Sequence, residues 1–344
     1  MYDAIIVGGS FAGLATAMRL RGHRVLLIEQ HPIGSHQTST CGMPLATIRA
    51  VGGESAILEE HAALVAHTGG RELRYPLRTP YVTFDYRALC RAMLARTDAE
   101  VWTVRATSAG PGWVATTQGT ARARFVIDAS GWRSAQWHGP QATQPPRLMG
   151  YGIETELPVR AADDPGLHVF FERRIVRNGY AWVFPCGQTT RIGVGTFDRG
   201  VALPPILNAF LARFGLRRGA TRGGVLAIQR RAPLVDGVFV VGDAAGQCLP
   251  LTAEGIRTAI FHGGIAGRSI AAALANTIAP DEARARYRAA VRRTAHFHAW
   301  MVRFQHLAAH TPDALRAILG RLNAHPAIFH PAMRRYLQWS GWIL

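Results

Sequence analysis

The 344-residue chain contains no lysine; all 39 of its strongly basic positions are arginine. Coding bias accounts for that preference as well as an anionic partner does. Cysteine is scarce, four in all, and Cys41, Cys90, Cys186 and Cys248 form no C-x-x-C pair or zinc-like cluster. They read as free thiols in a reducing compartment. Carboxylates are also few, 22 against the 39 arginines, for a formal net charge of +17. The arginines are scattered and not gathered into runs interleaved with aromatics, so no nucleic-acid partner is expected. An uninterrupted membrane-length run is missing too, because Arg257, His262 and Arg268 break the most apolar segment, Ile256 to Ile278. The start of the chain lacks the basic and apolar pattern of a signal peptide, and internal repeats and low-complexity tracts are missing. A soluble, cytoplasmic protein is the expectation. The basic excess is densest after residue 280, where ten arginines face Asp281, Glu282 and Asp313. Those charges make either solvated helix faces or a face for anionic lipid at the inner membrane surface.

What is present is apolar content of 48%, enough for one large domain or two packed ones. Tyr2 to Val7 reads as a buried strand, Phe11 to Arg21 as a helix and Arg24 to Glu29 as a second strand, an opening βαβ unit. A helix over Asp85 to Arg96 and short strands near Glu100 to Val104, Trp113 to Thr117 and Arg124 to Asp128 follow. Between Leu148 and Ile228 alternating runs read as a largely antiparallel sheet with one helix, Pro204 to Phe214. Val238 to Val241 returns to dinucleotide-binding character, and the rest is helix-rich. The predicted fold is α/β: a doubly wound, Rossmann-like cofactor domain from residues 1–50, 85–140 and 231–280, an inserted substrate domain from 51–84 and 141–230, and a helical C-terminal region, 281–344.

Gly8-Gly9-Ser10-Phe11-Ala12-Gly13 follows the first strand and fits the dinucleotide fingerprint, with Ser10 in place of the second glycine. Gly8 permits the tight turn, a small residue at position 10 admits a pyrophosphate to backbone N–H groups, and Gly13 permits close helix packing. Glu29, with Gln30 beside it, ends the second strand where a carboxylate accepts from ribose hydroxyls. A second element, Val240 to Gly246, selects FAD over NAD: Gly242 makes the turn and Asp243 faces the ribityl chain. Behind it, Pro250-Leu251-Thr252-Ala253-Glu254-Gly255-Ile256 starts a long helix whose positive end favours the anionic edge of a reduced flavin. An ordinary N-cap remains the alternative for Asp243.

With Asp128-Ala129-Ser130-Gly131-Trp132-Arg133-Ser134 and Tyr180-x-Trp182-x-Phe184-Pro185, these stretches resemble the geranylgeranyl reductase family, within the wider group of aromatic hydroxylases and flavin-dependent halogenases. The resemblance runs from residue 8 to residue 255. It implies an FAD enzyme with Asp128 at the cofactor and with Thr40 and Cys41, in Thr40-Cys41-Gly42, beside the flavin ring. It further implies hydride transfer from flavin N5 to a carbon–carbon double bond of an apolar, isoprenoid-like substrate. Cys41, Tyr180 and Trp182 are then the catalytic candidates, with Cys41 or Tyr180 as proton donor; a small apolar core role is the other reading of Cys41. Tyr180, Trp182 and Phe184 alternate along a strand and face one way, as a substrate wall with Pro185 or as sheet core. The electron donor, NAD(P)H or a reduced ferredoxin or flavin, is left open. The runner-up is an FAD monooxygenase acting on an aromatic or apolar small molecule. Against it, Ala129 and Ser130 stand where aromatic hydroxylases place a second carboxylate. Halogenases use a lysine, which this chain lacks. No metal site is expected, since His306 and His310, spaced i, i+4, have Leu307 between them and no third ligand.

Overall fold

The computed structural model describes residues 1–133, 148–160 and 166–341; Ser134, the last residue of the Asp128 motif, lies outside them. Among the described residues there are two eight-stranded sheets. In the first, Tyr2–Val7 lies at the centre, parallel to Val25–Glu29 on one side and to Gly119–Asp128 on the other. Glu100–Thr103 and Val238–Val240 extend it in parallel, and Leu234–Val235 adds an antiparallel edge. The central strand is apolar without alternation because both of its faces are covered. Ala4 and Ile6 join a core with the helix Phe11–Ala17 and the long helix Ile256–Leu274, while Ile5 and Val7 pack against the antiparallel hairpin Ala106–Gly110 and Trp113–Thr116. The first helix ends at Ala17, short of the predicted Arg21, since Met18 caps it and turns follow to Gly22.

The second sheet runs Thr221–Ala227, Met149–Leu157, Thr189–Thr196, Gly179–Cys186, Leu167–Phe170, Ile57–Thr68, Arg71–Phe84, Gly42–Pro44. Every pairing is antiparallel except Leu167–Phe170 on Ile57–Thr68. Helix Leu203–Ala212 covers one face through Leu207, Phe210 and Leu211.

Three helices close the chain: Pro280–His310, Asp313–Asn323 and Pro326–Trp339. The first packs on Ile256–Leu274 and buries Ala283, Tyr287 and Val291 in the main core. The other two lie on the long hairpin of the second sheet, where Tyr75 donates to the Gly320 carbonyl (3.1 Å) and its ring meets Phe329 at 5.0 Å. Among the described residues no helix is long and apolar enough to cross a membrane.

Candidate active site

Gly8 has φ +107°, and a Cβ there would stand 2.2 Å from the Ala129 carbonyl oxygen, so only glycine lets the first turn pass the end of Gly119–Asp128. The Glu29 carboxylate receives the Gly9 N–H (2.7 Å), the Gln30 N–H (2.7 Å) and the His31 N–H (3.3 Å), which sets it at the mouth of the turn. Ser10 is the N-cap of Phe11–Ala17 but makes no capping bond; its hydroxyl meets Tyr86 at 3.0 Å, and Phe11 packs edge-on against Phe84 and Tyr86. The fully buried Asp128 accepts from the backbone and hydroxyl of Ser130 (3.1 and 2.7 Å), fixing the turn after its strand.

The second glycine turn, 234 residues beyond Gly8, meets the first. Gly242 has φ +66°, and a Cβ there would lie 2.9 Å from the Ala12 Cβ. A buried relay fixes it: the Gly242 N–H donates to Gln247, Gln247 to the Tyr287 hydroxyl, and Tyr287 to the Val240 carbonyl (2.7, 3.1 and 2.6 Å). Burial pushes the Asp243 carboxyl up to about 6, with Arg231 opposing. Its Oδ1 lies 3.8 Å from where a Gly255 Cβ would stand, so the second turn also adjoins the start of Ile256–Leu274. Gly255 caps that helix without a side-chain bond, leaving first-turn N–H groups without an intrahelical partner. Two space-limited glycine turns, a carboxylate at each and an uncapped helix end in one place fit the phosphates, ribose and ring of FAD.

Beside them opens a cavity of about 640 Å³. It is bounded by Thr40, Cys41 and Gly42, by Thr252 to Ile256, and by Tyr180, Trp182 and Phe184. The alternating strand turns Pro185 to the opposite side, where its carbonyl accepts from Thr83 (2.8 Å). Tyr180 donates to the Thr252 carbonyl (3.0 Å), joining wall to helix start. Glu254 is held by Arg257 through two bonds of 2.8 and 2.7 Å and by the Tyr336 hydroxyl, so its carboxylate locks the helix start to the C-terminal helix. Pro250, Gln30 and the residues of both glycine turns do not line the cavity.

Cys41 is fully buried in a left-handed conformation, φ +63°, and burial pushes its thiol far up. The turn is anchored by Arg191, whose Nη1 donates to the carbonyls of Thr40 and Phe84 (2.9 Å each). Arg191 in turn pairs with Glu156 (3.1 Å), Arg222 bridges Glu156 and Glu154 (2.6 and 2.7 Å), and Glu154 accepts the Trp182 indole N–H (3.2 Å). Burial pushes the Glu156 carboxyl upward, but bonds from Thr189, Arg222 and Arg191 outweigh it and bring it to about 2. One chain of buried and half-buried charges therefore connects the cysteine turn to the aromatic wall.

This charge chain is not legible in the sequence, and neither are the other aromatic residues that line the cavity, Tyr81, Tyr151, Phe297, Trp300, Tyr336 and Trp339. The i, i+3 spacings of Phe297 with Trp300 and of Tyr336 with Trp339 were the available signal.

No family model matches the chain. It is 30% identical over 183 residues to the digeranylgeranylglycerophospholipid reductase of Methanocaldococcus jannaschii, covering 49% of this chain and 45% of that protein, so that match spans less than half the relative's length. With the enzyme of the same name from Methanospirillum hungatei it shares 29% identity over 312 residues, 77% of this chain and 75% of the relative. The chain is related to the geranylgeranyl reductases. Its fold matches that of a geranylgeranyl bacteriochlorophyll reductase-like protein from Thermoplasma acidophilum, with TM-score 0.83 at 20% identity over 98% and 99% of the two chains. The myxobacterial FAD-dependent chondrochloren halogenase shares the fold more distantly, with TM-score 0.70 at 19% identity over 95% and 92%. This geranylgeranyl reductase relative thus has the architecture of an FAD-dependent oxidoreductase.

Proposed function

We propose that the chain reduces carbon–carbon double bonds of an apolar, isoprenoid-like substrate held in the 640 Å³ cavity against FAD. The observation that carries this reading is the position of that cavity, between the cysteine turn and the uncapped start of Ile256–Leu274, with walls of aromatic and aliphatic side chains. Gly8 to Gly13, Glu29, Gln30, Asp128, Gly242 and Asp243 hold the phosphate and ribose portions of the cofactor. Thr40, Cys41, Pro250, Thr252 and Glu254 to Ile256 frame the ring side. Bound FAD supplies the hydride.

The protein's own contribution is alignment, exclusion of water and supply of a proton. Trp182 and Phe184 present flat apolar surface to an alkene chain, which suits orientation over a ring more than hydrogen bonding does. Cys41 and Tyr180 both keep their protons at neutral pH, because burial pushes each group up. Neither is poised as an anionic nucleophile, and either holds a proton beside the cavity for the carbon that completes reduction.

The test is anaerobic. Reduced holoprotein mixed with a polyprenyl substrate regains its oxidised flavin spectrum without oxygen, whether NAD(P)H, ferredoxin or another flavin supplied the electrons. Reoxidation by oxygen alone, with an oxygen atom gained by the product, establishes the monooxygenase instead.

A further inference from the structure

Helix Asp313–Asn323 carries its apolar stripe on the outside. Leu315, Ile318, Leu319 and Leu322 fall at i, i+3, i+4 and i+7 and are all exposed, Ile318 and Leu322 to 60%. The side laid on the protein uses small residues instead: Ala317 is buried, and Gly320 approaches Leu73 and Tyr75 of the second sheet. Helix Pro280–His310 repeats the arrangement near its end, where Trp300, Phe304 and Leu307 are exposed and the first two rings stack at 5.3 Å. Exposed apolar stripes of this kind mark an interaction surface.

Charge and the cavity identify what covers it. Arg303, Arg321, Arg334 and Arg335 are exposed on the same three helices, whose described residues after Glu282 include one carboxylate, Asp313. Apposing two copies of this face would bring like charges together, whereas anionic headgroups complement it. Trp300 and Trp339 line the cavity and are 54% and 56% exposed, so the cavity opens onto this face.

We propose that the C-terminal helices dock on the surface of an anionic lipid bilayer. The apolar stripes enter the headgroup boundary, the arginines pair with lipid phosphates, and the cavity mouth meets the acyl region where an apolar substrate resides. The inference rests on the reading of the cavity as an apolar-substrate site, but its test needs no turnover. FAD-loaded protein is sedimented with vesicles of phosphatidylcholine alone or mixed with phosphatidylglycerol. Binding is expected to the mixed vesicles and to weaken with salt. It should fall by more than about tenfold in the double variant Ile318→Ser, Leu322→Ser, and by about fivefold in Arg321→Ala. Since these side chains are exposed, Tm and the flavin spectrum should stay unchanged in both variants. Failure to bind the mixed vesicles, or binding unaffected by the double variant, overturns the proposal. So does a dimer in sedimentation velocity that the double variant dissociates, which assigns the face to a second copy. Vesicle binding retained by protein inactive on detergent-dispersed polyprenyl substrate supports the surface while removing the reductase reading.

Discussion

The indole of Trp182 is fixed on two sides. Its N–H donates to Glu154, and its six-membered ring fills space left by Gly193, where a Cβ would come within 2.2 Å. A bulky residue on a crowded strand is held in one orientation by the lack of a side chain opposite it. Trp182→Phe removes the donor and part of the wall while Arg222 still neutralises Glu154. We expect a several-fold higher KM for an apolar substrate with unchanged FAD affinity; equal losses in cofactor titration and turnover would show that the indole supports the whole domain. The glycine turns were legible because a tight turn with close backbone approach constrains a short contiguous stretch. Arg191, Arg222 and Glu154 were not, since their partners lie 28 to 151 positions away in sequence. Without a structure they read as ordinary charges on alternating strands.

Individual elements were legible where local physics decides them. The helix predicted over Asp85 to Arg96 is observed as Tyr86–Leu94, with Asp85 as its N-cap accepting the Ala88 N–H at 2.6 Å. Asp85→Ala should lower unfolding stability by about 1 kcal/mol. Equilibrium denaturation of the FAD-loaded protein tests this, and an unchanged midpoint would show the cap to be redundant. Long-range pairing was less legible. Ile57–Thr68 and Arg71–Phe84 form the largest hairpin of the second sheet, yet alternation in residues 57–84 is blurred by register shifts and by helices lying over one face. The outward stripe of Asp313–Asn323 likewise follows the usual amphipathic pattern, and periodicity alone does not reveal which side faces the protein.

For the whole molecule, buried titratable groups set the response to acid. Burial, reinforced by Arg230, brings His262 down to about 3 and His298 to about 4. An unfolded chain protonates such groups near about 6.5, so their stabilising contribution is complete above that pH and is lost as pH falls toward 4. Asp243 acts in the opposite sense: its carboxyl, raised to about 6, contributes stability below about 4 that disappears as pH rises to 6. Each group contributes a slope of at most about 1.4 kcal/mol per pH unit. Cofactor-free protein should therefore lose stability from pH 6.5 to 4.5, and Asp243→Asn should make that loss steeper. Thermal unfolding at several pH values measures both slopes, and parallel profiles would remove Asp243 from the account.

The meeting of Ala12 with Gly242 also constrains the order of events during synthesis. The strand and turn around Gly8 are made before Gly242, and the Ala12 that Gly242 packs against waits for a further 230 residues of synthesis. Until then the nascent molecule has one of the two glycine turns, and the apolar faces that Ile256–Leu274 will cover stay open. The paired turns are therefore complete only once the segment through Gly255 has been made.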